Sequence, residues 1–239
     1  MYFSSFPYIY YDVEKTGDER KVTHILKRIA FRQQLKDRAT LYYTHYIAEG
    51  DTPEILSYKV YGDAQYHWVL LLLNERHNPY FDWPMDYKNF NAYLATKYPT
   101  SKSLIFTADG TDHYAVGETV TGGTSNATGT VTKWFPTLRQ LVVTVASGTF
   151  ASNETITGGT SNAVRTTITS GGTVNYVDAP HHYLDSNSKE VNISASPAPT
   201  AVTNREYEDN LNEANRSIKI LSPQFVPQVV EECKKLLLT

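Results

Sequence analysis

Sixteen residues, GETVTGGTSNATGTVT (Gly117–Thr132), return 36 positions later as NETITGGTSNAVRTTI (Asn153–Ile168), with ten of the sixteen positions identical. Each copy alternates Val or Ile with Thr up to a Gly-Gly pair and then resumes with Thr. A period of two places the branched residues on one face of a strand, and the glycine pair marks a tight turn into a second strand. Between the copies, RQLVVTVAS sets Leu141, Val143 and Val145 on one face of a further strand. Two copies are too few for a solenoid, so the middle of the chain is expected to form a small all-β barrel or sandwich with two internal repeats. No strand-to-helix step and no Lys-Ser/Thr pair follows the glycines, which excludes a phosphate loop.

On either side the composition changes. From Met1 to about Tyr98 the chain is rich in aromatic and charged residues and poor in glycine, and from about Val202 to Thr239 helical character returns. The expected organisation is α+β: an N-terminal domain (1–103), an inserted β-repeat domain (104–176), and a C-terminal part (177–239) made of a linker and a strand-helix element. In the first, Asp51 or Thr52 can cap a helix that Pro53 opens and Glu54 favours through the dipole. Gly62 can end that helix in a left-handed turn, and Asp63 caps a second one running through Trp68 to Asn74. Trp68 sits on the apolar side and reads as core rather than as a ligand platform. NPYFDWP (Asn78–Pro84) gathers Tyr80, Phe81, Asp82, Trp83 and Pro84 into a knot that either forms a local core or stands as an exposed anchor for a neighbouring subunit. Phe90, Tyr93, Leu94 and Tyr98 then mark an amphipathic helix.

In the C-terminal part, Asp185–Asn204 is rich in Ser, Pro and Asn and is expected to be extended or loosely held. Thr203 with Glu206 forms a capping box. RSIKIL (Arg216–Leu221) alternates like a short strand. After Pro223 a terminal helix carries Val229, Val230, Cys233, Leu236 and Leu237.

Chemistry is sparse. A net charge of −3 gives no pull toward nucleic acid or anionic lipid. The single cysteine, Cys233, permits neither a disulfide framework nor a thiolate cluster and reads as a small core residue. The N-terminus lacks a signal-peptide pattern, and the apolar run Trp68–Leu73 is far short of the roughly 20 residues of a membrane helix. HExxH, Gly-x-Ser-x-Gly and a Cys-His pairing are missing. His181 and His182, between Asp178 and Asp185, are the best metal candidates. Adjacent strand residues face opposite sides, however, so a hydrogen-bonding or interface role is expected. Lys21, Lys27, Arg28, Arg32, Lys36 and Arg38 read as a solvated helix face, or secondly as a contact to an acidic patch. No enzyme activity, metal, cofactor, nucleic acid, membrane or small-molecule partner is expected.

A strand entering Gly50-Asp51-Thr52, a helix, Tyr61-Gly62, a second helix and Asn74 together look like a LysM module. Where such a module closes with a second strand, this chain has NPYFDWP. The run from Phe31 through Met85 resembles the LysM-like baseplate wedge subunit of contractile-tailed, T-even-like bacteriophages. That resemblance rests on Gly50-Asp51-Thr52-Pro53-Glu54, Tyr61-Gly62-Asp63, His67-Trp68, Asn74 and Asn78–Pro84, with Pro180–Tyr183 and Thr203–Leu221 adding to it. It implies a non-catalytic structural subunit joining neighbouring wedges into the baseplate ring. Its partners would be other wedge and tail proteins, with copies per baseplate in six or a multiple of six. It further implies a place in the virion tail after manufacture and assembly in the host cytoplasm. The missing closing strand argues against a sugar groove; the alternative is a peptidoglycan-binding LysM module of a cell-wall-targeting protein.

Overall fold

A computed structural model describes residues 6–30, 41–78, 80–110 and 113–238. In chain order come the strands β1 (Tyr8–Tyr11), β2 (Arg20–Thr23) and β3 (Tyr42–Tyr46), then helices α1 (Pro53–Tyr61), α2 (His67–Leu73) and α3 (Tyr87–Lys97). Seven strands follow: β4 (Lys102–Ile105), β5 (Thr119–Gly122), β6 (Thr128–Phe135), β7 (Gln140–Ser147), β8 (Thr155–Gly158), β9 (Val164–Thr166) and β10 (Thr173–Asn175). The chain ends with β11 (Pro180–Leu184), β12 (Glu190–Val191), β13 (Thr200–Thr203), α4 (Asn204–Ala214), β14 (Ser217–Leu221) and α5 (Val226–Leu238). Contacts divide it into one unit of residues 1–87 with 212–239 and a second unit of residues 88–211.

In the first unit, β3 is zipped antiparallel to β14, with Tyr43 opposite Ile220 and His45 opposite Ile218. The α1–α2 pair lies between them in sequence and packs with them: Leu56 and Leu70 bury against Ile47, Ile218, Ile220 and Trp83. Each such side chain contributes about 1.5–3 kcal/mol by leaving water. The expectation that a closing strand is missing is therefore corrected. The strand-helix-helix unit does close, and RSIKIL supplies the strand from beyond residue 211. Helix α1 begins at Thr52, whose hydroxyl accepts from Ile55 N at 3.3 Å, and ends at Gly62 with φ 75°. Asp63 caps a single 3-10 turn, Ala64–Tyr66, that leads into α2. A second cluster joins Val69, Leu73, Leu221 and Val226, with half-buried Trp68 packed on it. Helix α5 buries Val226, Cys233 and Leu237, whereas Leu236 turns outward. Burial pushes the Cys233 thiol up to about 11.

Lys21 lies in the β1–β2 hairpin, its ammonium 4.5 Å from the Tyr8 ring centre, so the basic cluster is not one helix face. Arg32, Lys36 and Arg38 fall outside the described residues.

In the second unit, seven strands run in the order β10-β4-β7-β6-β5-β8-β9. The sheet curls. The chain after β4 meets the chain after β9 through a Phe106–Thr167 bridge, with Thr107 N on Thr166 O and Ile168 N on Ile105 O. Leu104, Phe106, Val120, Val131, Leu141, Val143, Phe150 and Ile156 fill its interior. One curled sheet, not two stacked ones, encloses this core.

The Gly-Gly turns have a specific cause. Glu118 accepts from Thr160 N (3.0 Å), Ser161 N (2.8 Å) and Ser161 Oγ (2.8 Å). Glu154, 36 residues on, accepts from Thr124 N (3.2 Å), Ser125 N (2.9 Å) and Ser125 Oγ (3.0 Å). Each stretch thus holds the other's turn. A Cβ at Gly122 would stand 2.7 Å from the Glu154 carboxylate, and one at Gly158 would stand 3.0 Å from that of Glu118. At Gly123 and Gly159 it would crowd the carbonyls of Thr155 and Thr119, at 3.2 and 3.0 Å. The first glycine of each pair makes room for the turn's own serine hydroxyl and the carboxylate that it binds, and the second for a neighbouring strand.

The segment expected to be extended or loosely held contributes two extended strands, β12 and β13, which flank β11 in a three-stranded sheet. The capping box forms: Thr203 N donates to Glu206 Oε2 (2.8 Å) and Glu206 N to Thr203 Oγ1 (3.2 Å). The opposite-faces expectation for His181 and His182 does not hold, since their Nδ1 atoms approach to 2.9 Å. The pairing of β11 with β13 shifts register between Pro180 and His182, and such a bulge breaks the alternation. His181 stacks on Tyr207 at 3.8 Å, Asp178 pairs with Arg205, and Asp185 caps its own turn. Among the described residues no group of three or more His, Cys, Asp or Glu side chains could hold a metal ion.

Candidate functional site

The NPYFDWP loop separates into an inward and an outward part. Trp83 is 6% exposed, and its indole donates to Asp51 O at 2.7 Å. That bond ties the knot to the Gly50-Asp51-Thr52 entry of α1. Asp82 turns back on the loop: its Oδ2 accepts from His77 N (2.9 Å) and Asn78 N (2.8 Å). Asn78 Oδ1 accepts from Tyr80 N (3.1 Å), and Asn78 O accepts from Phe81 N (3.0 Å) and Asp82 N (2.7 Å). Tyr80 is 83% exposed and Phe81 60%, while Pro84 is half-buried. Pro79 lies outside the described residues. The two alternatives posed by the sequence are thus realised at different residues: Trp83 is local core, and Tyr80 with Phe81 stands in solvent.

Side chains near the end of α4 brace the loop. Asn212 Oδ1 accepts from Met85 N at 2.7 Å and its Nδ2 donates to Met85 O at 3.2 Å, as a paired strand would. Asn215 Nδ2 reaches Phe81 O (3.4 Å), and Asn215 Oδ1 accepts from Arg76 Nη1 (2.6 Å). Arg216 bridges Glu213 (2.6 Å) and Glu49 (2.8 Å), and Glu49 accepts from Tyr87 N at 2.6 Å. The Tyr46 hydroxyl, donating at 2.6 Å, and the Arg216 guanidinium hold the Glu213 carboxyl below its ordinary range. The bracing role of these residues was not read from the sequence. The signal available was two asparagines three apart, on one face at the end of a helix, where each amide offers both a donor and an acceptor to main-chain or side-chain partners.

The other singled-out residues are structural in geometry. Gly50 has φ 79°, and Asp51 pairs with Lys59 at 2.6 Å. Tyr61 stacks edge-on against Tyr66, 6.3 Å between ring centres. Asn74 ends α2 and clamps it to β14: Nδ2 donates to Leu70 O and Lys219 O, each at 2.8 Å, and Oδ1 accepts from Lys219 N at 2.8 Å. Among these described residues no nucleophile, base and electrophile are arranged around a shared point. The arrangement offers rigidly presented aromatic surface.

Residues 1–100 match the family described as base plate wedge protein 53. A stretch of 40 residues is 42% identical to the baseplate wedge protein gp53 of Enterobacteria phage T4. That stretch is 17% of this chain and spans 20% of the length of the T4 protein. The N-terminal part of the chain is thus similar to phage baseplate wedge proteins.

Proposed function

We propose that the chain is a non-catalytic structural subunit of a phage tail baseplate wedge, joining neighbouring wedges into the ring by protein–protein contacts. The observation that carries this reading is the braced loop presenting Tyr80 and Phe81 to solvent. Exposed aromatics on a pre-ordered support lose little freedom on binding, which is what interface hot spots require. The matched residues 1–100 include this loop. Its partners would be other wedge and tail proteins in the virion, in six copies or a multiple of six, burying above roughly 2,000 Å² as permanent assemblies do. The β3-α1-α2-β14 unit supports a LysM-like body as the rigid support. Phage particles carrying Tyr80→Ser with Phe81→Ser test the proposal: intact baseplates by electron microscopy and unchanged infectivity would reject it.

One observation favours a second reading. With β14 closing the strand-helix-helix unit, the fold-based objection to a peptidoglycan-binding module falls away. Saturable binding to purified peptidoglycan, competed by chitin oligomers, would establish that reading over the structural one.

A further inference from the structure

The two outer edges of the β3–β14 sheet are finished differently. On β14, the main chain of Lys219 is satisfied by the Asn74 amide, which donates to its carbonyl and accepts from its N–H, both at 2.8 Å. Lys219 therefore faces away from β3. Its partner Thr44 is at a non-hydrogen-bonded position, and its own N–H and C=O point outward on the far side. The same alternation turns the main chains of Tyr42 and Tyr46 outward. Tyr43, His45 and Ile47 face β14 instead, Ile47 N donating to Arg216 O at 2.9 Å. Among the described residues, no hydrogen bond reaches the main-chain groups of Tyr42, Thr44 or Tyr46.

Such an edge is ordinarily guarded by a lysine, a proline, a bulge or a covering segment. The sequence YYTHY has no lysine or proline, and its register is unbroken. Its aromatics and threonine favour extended structure. Tyr46 is 61% exposed and Tyr43 44%. The nearby charges are engaged: Glu213 by Arg216 and the Tyr46 hydroxyl, Lys219 over the Tyr42 ring at 4.6 Å.

We propose that the outer edge of β3 is a strand-addition site for an extended, uncharged segment of another protein subunit. Recognition would run through the main-chain groups of Tyr42, Thr44 and Tyr46, as in β-augmentation. The three N–H and three C=O groups set at strand spacing specify a polypeptide main chain. The neutral side chains on both faces favour a strand of β-branched and aromatic residues over a charged one. This holds whether or not the chain belongs to a baseplate, and it concerns a different surface from Tyr80 and Phe81.

The test uses the full chain and a synthetic peptide, acetyl-Thr-Val-Tyr-Val-Thr-amide, beside the same peptide N-methylated at alternate residues. The expected result is saturable binding of the first peptide, with exchange of the Thr44 and Tyr46 amides slowed about ten-fold or more, and no binding of the second. Thr44→Pro removes an outward N–H without touching the ladder to β14, and Thr44→Lys adds a guarding charge. Both are expected to keep the wild-type circular dichroism and lose the peptide. Absence of wild-type binding, equal binding of the N-methylated peptide, or retention by both variants overturns the proposal. So does concentration-dependent self-association that Thr44→Pro removes, which would make a second copy the occupant.

Discussion

Replacing Glu118 by Ala removes one acceptor from four donors: Thr160 N, Ser161 N, Ser161 Oγ and, at 2.7 Å, Ala115 N. Three of these are main-chain amides that cannot rotate toward another partner. Hydrogen bonds to a charged group contribute about 1.5–3 kcal/mol each, and an orphaned buried donor costs about 1–3 kcal/mol. The donors here are part-buried, so water will recover some of the loss, and the expected cost is about 3–5 kcal/mol. Glu118→Gln keeps one carbonyl acceptor but turns an NH₂ toward amide N–H groups, so about half that cost is expected. Glu154→Ala should behave alike, since it accepts from Thr124 N, Ser125 N, Ser125 Oγ and Ala151 N. A urea titration followed by circular dichroism measures the loss. Amide exchange with mass spectrometry, on peptides covering 117–131 and 153–167, localises it. The pH dependence gives an independent check. Burial alone would raise the Glu118 carboxyl, but the Ser161 amide and hydroxyl and the Thr160 and Ala115 amides hold it below its ordinary value. A depressed folded-state value means the stabilisation is full above the unfolded value near 4.3 and is lost as pH falls through the folded one. The wild type and Glu118→Ala should therefore converge in stability in strong acid. A cost below about 1 kcal/mol at neutral pH, or an undiminished gap in strong acid, refutes the clasp.

Asn74→Ala strips the outer edge of β14 and the end of α2 at once, and should cost about 1–3 kcal/mol in denaturant unfolding, with faster exchange of the Lys219 amide. Trp83→Ala should cost about 3–5 kcal/mol, whereas Trp83→Phe loses chiefly the bond to Asp51 O, about 1 kcal/mol; equal losses would place the energy elsewhere. Tyr80→Ser with Phe81→Ser should leave stability within about 0.5 kcal/mol of wild type, so that a lost assembly phenotype reports on binding rather than folding. Glu208 is buried, yet Lys97 and the hydroxyls of Tyr98 and Tyr93 hold its carboxyl below the ordinary value. Acid should then destabilise the second unit through Glu208 too, and Glu208→Gln should flatten that loss in a melting series from neutral to acid pH.

Local patterns in the chain were legible where periodicity or end chemistry alone decides structure. Thr-Val-Thr and Thr-Ile-Thr before Gly-Gly are strands, Thr52 and Gly62 bound a helix, and Thr203 with Glu206 starts another. What escaped reading depends on pairs remote in sequence. RSIKIL is recognisable as a strand, but nothing local says that it pairs with Tyr42–Tyr46, so the strand-helix-helix unit looked unclosed. Glu118 and Glu154 are identical residues at matched positions of the two stretches. Alternation identifies their apolar neighbours, but only the fold shows each carboxylate serving the other stretch's turn. The histidine pair was misread because alternation assumes a regular ladder, and the bulge lies in the pairing with β13. The aromatic loop was legible as a knot. That Trp83 is the ring turned inward goes with its bond to Asp51 O, 32 residues away, which composition does not encode.

The late position of β14 has a consequence for synthesis. A ribosome finishes Tyr42–Leu73 long before it reaches Ser217–Leu221, so the first-made half must wait, with β3 unpaired on both sides and Leu56 and Leu70 lacking Ile218 and Ile220. All of the second unit is made during that interval and can fold first, although it is encoded second. A fragment ending near residue 100 would hold every residue of the family match and still lack the strand that completes its sheet. It should be recovered as an insoluble or partner-bound species, and supplying residues 212–239 in trans should be the more effective rescue than lowering temperature.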